Sequence, residues 1–183
     1  MKFGRGADAV DGYDYGNIFQ RQHSGQQRRL LIGPSGGHLD TMLALAACLD
    51  EPFKVLYVLI VPNGSGEGGE GRYESPGLDR GELESFLRKH ADFLEGDGRH
   101  NIWIASLGDT IGQIVYDRHN VLYAYGPVPE YIAVLASRGL GEGPVEVPSP
   151  HWHKYHSHFN QSERELIAEW AWTKTPLREG DDS

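Results

Sequence analysis

The chain has 183 residues, 26 acidic against 17 basic, a net charge of −9 and a calculated pI near 5.4. This length suits one domain with a real core, and the negative field repels phosphate backbones, which argues against nucleic acid as a partner. The longest apolar run, Val55 to Val61, has seven residues, far short of the ~20 a membrane-spanning helix needs, so no membrane partner is expected.

Met1 to Asp8 lacks the apolar stretch of a secretory signal, and the single Cys48 cannot make an internal disulfide, so the expected compartment is the cytoplasm. Residues 1–28 are rich in Gly, Gln, Arg and Asp and show no period, although Tyr13, Tyr15, Ile18 and Phe19 can pin part of the segment to a surface. The expectation is a partly ordered N-terminal arm, then one α+β domain over 29–178 and a polar tail at 179–183.

Leu30 to Ile32 reads as a strand, Gly33 to Gly37 as a tight turn and Leu39 to Leu49 as a helix in which Cys48 acts as a small hydrophobe. A strand at Phe53 to Val61 follows. Gly64, Gly66, Gly68, Gly69, Gly71 and Gly77 then mark a long loop that is either mobile or ligand-binding. Asp79 and Glu82 spell a capping box, with Leu83, Phe86, Leu87, His90 and Leu94 as one buried helical stripe. Asn101 to Ser106 alternates as a strand. Gln113 to Tyr116 and Val121 to Tyr125 read as a hairpin turning through Asp117 to Asn120. A helix starts near Pro129 and ends at Gly139, Val145 and Val147 suggest a short strand, and a last helix begins near Asn160 or Ser162. Helices interspersed with a hairpin predict a mixed or antiparallel sheet of about four to six strands, with helices packed mainly on one face.

Three groups of residues can carry chemistry. Gly33, Pro34, Ser35, Gly36, Gly37 and His38 lie between a strand and a helix, where backbone N–H groups and the positive helix end can meet a phosphate. The Gly-x-Ser-x-Gly spacing resembles the nucleophile elbow of serine hydrolases, which implies a triad drawing on Asp117 and His151. The stretch Leu31 to Leu39 is also similar to the Gly-Gly-His loop near the start of some sugar-nucleotide glycosyltransferases, which implies a role near donor phosphates. The plain alternative is a connection whose Ser35 caps the next helix.

His151, His153, His156 and His158 form the second group. On an extended strand His151 and His153 share a face about 7 Å apart, within reach of one ion. His156 and His158 make a second pair on the opposite face, and a turn together with Asp117 or Glu146 would complete a zinc or iron site. The third group is the hairpin tip, where Asp117, Arg118 and His119 can act as acid, anion anchor and base between the walls of Tyr116, Tyr123 and Tyr125.

Residues 62–98 hold nine acidic groups against four Arg or Lys, so −5 of the net −9 falls there. With no complete catalytic constellation, the first functional expectation is a small non-enzymatic binding or regulatory domain whose acidic surface meets a basic protein partner in a salt-sensitive way. The alternatives are a metal-binding protein or metal-dependent enzyme using the His151 to His158 cluster, and phosphate or sugar-nucleotide binding at Gly33 to His38.

Overall fold

The structure is a computed structural model that describes residues 2–6, 12–24, 27–63 and 68–181. Residues 7–11 of the N-terminal segment, Gly64, Gly66 and Glu67 of the glycine-rich loop, and Asp182 and Ser183 of the tail lie outside the described residues. The elements are β1 (Phe3–Arg5), β2 (Ile18–Ser24), β3 (Gln27–Gly33), α1 (His38–Ala46), β4 (Phe53–Leu59), β5 (Gly71–Glu74), α2 (Arg80–Lys89), α3 (Ala91–Gly96) and β6 (His100–Ser106). They continue with β7 (Gln113–Tyr116), β8 (Leu122–Tyr125), α4 (Val128–Ser137), β9 (Gly141–Glu142), β10 (His151–His153), a 3-10 turn (Ser157–Phe159), α5 (Asn160–Ile167) and β11 (Thr173–Thr175).

Nine strands form one sheet in the order β11-β5-β4-β6-β7-β8-β3-β2-β9, while β1 and β10 pair separately. The large sheet is mixed, since β2 and β9 run parallel and the other neighbours antiparallel. Nine strands overturn the expected sheet of about four to six, and the cause is local polarity. β2 carries only Ile18 and Phe19 as apolar residues, yet it makes a seven-residue ladder with β3. β5 hides in the glycine-rich stretch, and β9 and β11 are two and three polar, exposed residues that exist only by pairing. Val145 and Val147 do not make the expected strand. Val145 is instead buried, its N–H held by Gln20 Oε1.

Strand alternation divides the sheet into two faces. Leu30, Ile32, Val55, Tyr57, Ile102, Ile104, Ile114, Leu122 and Ala124 share one buried core with residues of the helices, among them Met42, Leu45, Phe86, Leu87, Tyr131 and Leu166. The helix stripe forms as its spacing predicts: Asp79 and Glu82 exchange capping bonds of 2.8 Å, and Leu83, Phe86, Leu87, His90 and Leu94 are buried. The helix nevertheless breaks at His90, which ends α2 and starts α3.

The opposite face carries a smaller cluster of Phe3, Tyr15, Leu31, Val121 and Val145. The N-terminal segment supplies two of these residues, laid over the hairpin end of the sheet. Gly98 permits that approach, since a Cβ there would lie 2.9 Å from the Lys2 carbonyl oxygen and 3.1 Å from His153 Cβ. In the tail, Asp181 is buried in an ion pair with Arg72. Among the described residues, no helix is long and apolar enough to cross a membrane.

Candidate metal centre

The hairpin between β7 and β8 fixes the first histidine. Asp117 Oδ1 accepts the N–H groups of His119 at 2.9 Å and Val121 at 3.0 Å, and Asn120 adopts the left-handed conformation (φ +62) that closes the turn. Asp117 Oδ2 accepts from His119 Nδ1 at 3.0 Å and from the Tyr123 hydroxyl at 3.3 Å. A buried carboxylate with four donors is fully used, so it orients His119 and has no lone pair directed elsewhere.

The β1–β10 pair brings the other two histidines. Phe3 pairs with His153 and Arg5 with His151, and in this antiparallel register the paired side chains share a face. The buried Phe3 ring packs against His119, His151 and His153 at centroid distances of 5.4, 5.6 and 5.7 Å. One ring nitrogen from each of the three histidines lies within 4.8 Å of the others, and this is the only such group of three among the described residues. Points that close fit in a circle of about 2.8 Å radius, so each nitrogen needs to move no more than about 0.8 Å to reach a tetrahedral zinc site with bonds of ~2.1 Å.

The hydrogen bonds prepare these rings for a ligand role. The carboxylate of Asp117 and the carbonyl of Pro148, which lies 3.0 Å from His151 Nδ1, are acceptors, so both Nδ1 atoms carry the proton. In the neutral form of each ring the lone pair is then on Nε2. His153 is different: both of its ring nitrogens are buried and have no hydrogen-bond partner. Burial, with the charge of Arg118 adding to it, lowers its pKa to about 3, so the ring is neutral near pH 7, as ligation requires.

The remaining sequence candidates fall elsewhere. His156 is tied by its backbone, its N–H to Asp97 Oδ2 at 2.7 Å and its carbonyl to Arg99 Nη2 at 3.1 Å, while the exposed His158 packs at a tilt against Phe159. His156 is thus held beside Asp97, and the group of three converging ring nitrogens is completed by His119. Glu146 is exposed and outside the group. Arg118 donates its N–H to Asn101 Oδ1 at 2.9 Å, and its charge bears on His153.

Ser35, Gly36 and Gly37 are exposed, and Gly37 caps α1 with φ +59 and without a side-chain bond. The Ser35 N–H donates to Asn17 Oδ1, and no hydrogen bond joins Ser35 Oγ to a histidine among the described residues. The buried His38 stacks on Tyr116 at 5.1 Å, and the N–H of Leu39 in the first turn of α1 donates to Glu95 Oε1 at 2.7 Å. A carboxylate of the chain itself therefore sits where a phosphate was expected. Sequence reasoning placed His119 with an acid–base group and did not join it to His151 and His153. The available signal was the Asp-x-His turn, which couples a ring to an orienting carboxylate. No family model, curated protein or solved structure matches the chain.

Proposed function

We propose that the protein binds one divalent transition-metal ion through His119, His151 and His153, and that zinc is the ion its donor set suits best. The observation that carries this reading is His153, whose two buried, unpartnered nitrogens stand beside two rings already oriented by Asp117 and Pro148. Three imidazoles suit zinc better than non-haem iron, which favours a carboxylate in its coordination set, because Asp117 is spent on N–H and O–H donors. A three-nitrogen set also leaves a fourth position for water or another ligand, as in catalytic rather than structural zinc sites.

The acidic stretch offers less for a docking surface. Glu74 pairs with Lys54 and Glu84 with Arg88, Asp79 and Glu82 cap α2, Glu95 meets α1, and Asp97 grips Arg99. Charge already satisfied within the chain gives a weaker field to a partner.

Zinc titration of metal-stripped full-length protein by calorimetry, with elemental analysis of the product, tests the proposal. One equivalent is expected, abolished by His153→Ala and retained by the His156→Ala/His158→Ala double variant. Absence of zinc binding, or its persistence in folded His153→Ala, overturns it.

A further inference from the structure

The face of the sheet away from the helices is only partly covered by the N-terminal segment. The rest forms a groove of about 950 Å³, lined among others by Arg29, Trp103, Gln113, Asp117, Tyr123 and Tyr125. That volume lies within the range of about 300–1,000 Å³ usual for small-molecule sites. We infer that this groove binds a small planar organic anion, an aromatic body carrying a carboxylate or phosphate.

Arg29 supplies the recognition of charge. Its Nε and Nη2 donate to Gln22 Oε1, its Nη1 to the Tyr125 hydroxyl at 2.7 Å, and its guanidinium lies over Tyr123 at 5.2 Å and Tyr125 at 5.8 Å. These neutral partners hold the fork in place and leave its charge uncompensated. Among the described residues no carboxylate comes within ion-pair distance of Arg29 or of Arg28 beside it, whereas Arg21, Arg72, Arg88 and Arg99 each have one. In a chain of net charge −9, a half-buried arginine held by neutral groups marks an anion site.

The groove also has polarity along its length. Asp117 follows Tyr116, which pairs with Leu122, while Gln113 pairs with Tyr125, which in turn pairs with Arg29. The acidic end and the Arg29 end are therefore about 13 Å apart along the strand. An anion belongs at the Arg29 end, with its ring system running along Tyr123 and Trp103. Trp103 adds a buried indole N–H with no partner, and Ile111, 77 % exposed, gives an apolar rim. The net negative charge disfavours an extended polyanion, which narrows the ligand to a small molecule. Tyr123 and Asp117 line the groove and also lead to His119, so the ligand lies next to the metal centre. That adjacency rests on the metal reading, but binding in the groove does not require the ion.

The test uses metal-stripped full-length protein, 1-naphthoate as the probe and the uncharged 1-naphthalenemethanol as its comparison. Calorimetry is expected to show one site, with the acid favoured at least about tenfold over the alcohol and Arg29→Met weakening the acid by about tenfold or more. In the unaltered chain, naphthoate is expected to shift the indole N–H resonance of Trp103 and leave that of Trp170 in place, which keeps the test valid if Arg29→Met does not fold. Equal binding of acid and alcohol, or an unmoved Trp103 signal at millimolar naphthoate, overturns the inference. Zinc uptake without probe binding removes this inference alone, and probe binding without zinc uptake removes the metal centre alone.

Discussion

The two faces of the nine-stranded sheet share one backbone and put it to different uses. The helix face is filled by aliphatic and aromatic side chains such as Ile104, Ile114 and Leu122, all fully buried and packed against the helices. The open face carries Arg29, Trp103, Gln113, Tyr123 and Tyr125 from the same strands, half-buried around a groove, with three histidines at its hairpin end. Residues one position apart in sequence thus serve stability on one side and recognition on the other, because successive side chains in a strand point to opposite faces.

The contrast is sharpest in a pair of neighbouring substitutions. Ile104→Ala empties a packed site and is expected to lose about 3–4 kcal/mol in urea denaturation, whereas Trp103→Leu is expected to stay within about 1 kcal/mol. A Trp103→Leu cost as large as that of Ile104→Ala would show that the open face belongs to the core.

Acid should act through histidines with buried ring nitrogens on both faces, His38 and His100 on the helix side and His153 on the open side. Burial, with help from the Lys2 charge, lowers the pKa of His38 from 6.5 to about 4, and burial holds that of His100 well below 6.5. In this range the unfolded chain takes up protons that the folded chain refuses, so stability is fully present above pH 6.5 and falls as the pH drops towards 4. For His38 the loss is on the order of 2–3 kcal/mol, and the untitratable His38→Gln variant should show a flatter profile of urea midpoint against pH. An unchanged slope would remove His38 from this role.

A smaller effect is expected from Asp117→Asn on the open face. The amide keeps the size of the side chain but loses its charge and its pure acceptor character, so zinc affinity should fall about 10- to 100-fold. Calorimetry on the variant checks this, and unchanged affinity would mean that Asp117 does not orient the site.

Several single elements are legible in the sequence although the size of the sheet is not, for reasons that differ between elements. The capping box at Asp79, the stripe from Leu83 to Leu94 and the hairpin through Asp117 to Asn120 are local patterns, and each forms where its spacing places it. The edge strands were not readable. Thr173 to Thr175 or Gly141 to Glu142 have no period of their own and become strands through hydrogen bonds to β5 and β2. The candidate centre is split in the same way: the extended run at His151 and His153 and the Asp117–His119 turn were each visible, but their meeting was not.

What the sequence by itself determined is therefore the presence of strands at β3, β4, β6, β7 and β8, the starts of α1, α2, α4 and α5, and the presence of two histidine-bearing segments. Only the tertiary structure decided that Phe3 and β10 dock over the hairpin, that His119 joins His151 and His153, and that His156 is drawn away to Asp97 and Arg99. The physical reason is range. Periodicity and turn chemistry record how a residue meets its near neighbours, whereas these choices follow from strand register and buried hydrogen bonds between segments distant in the chain.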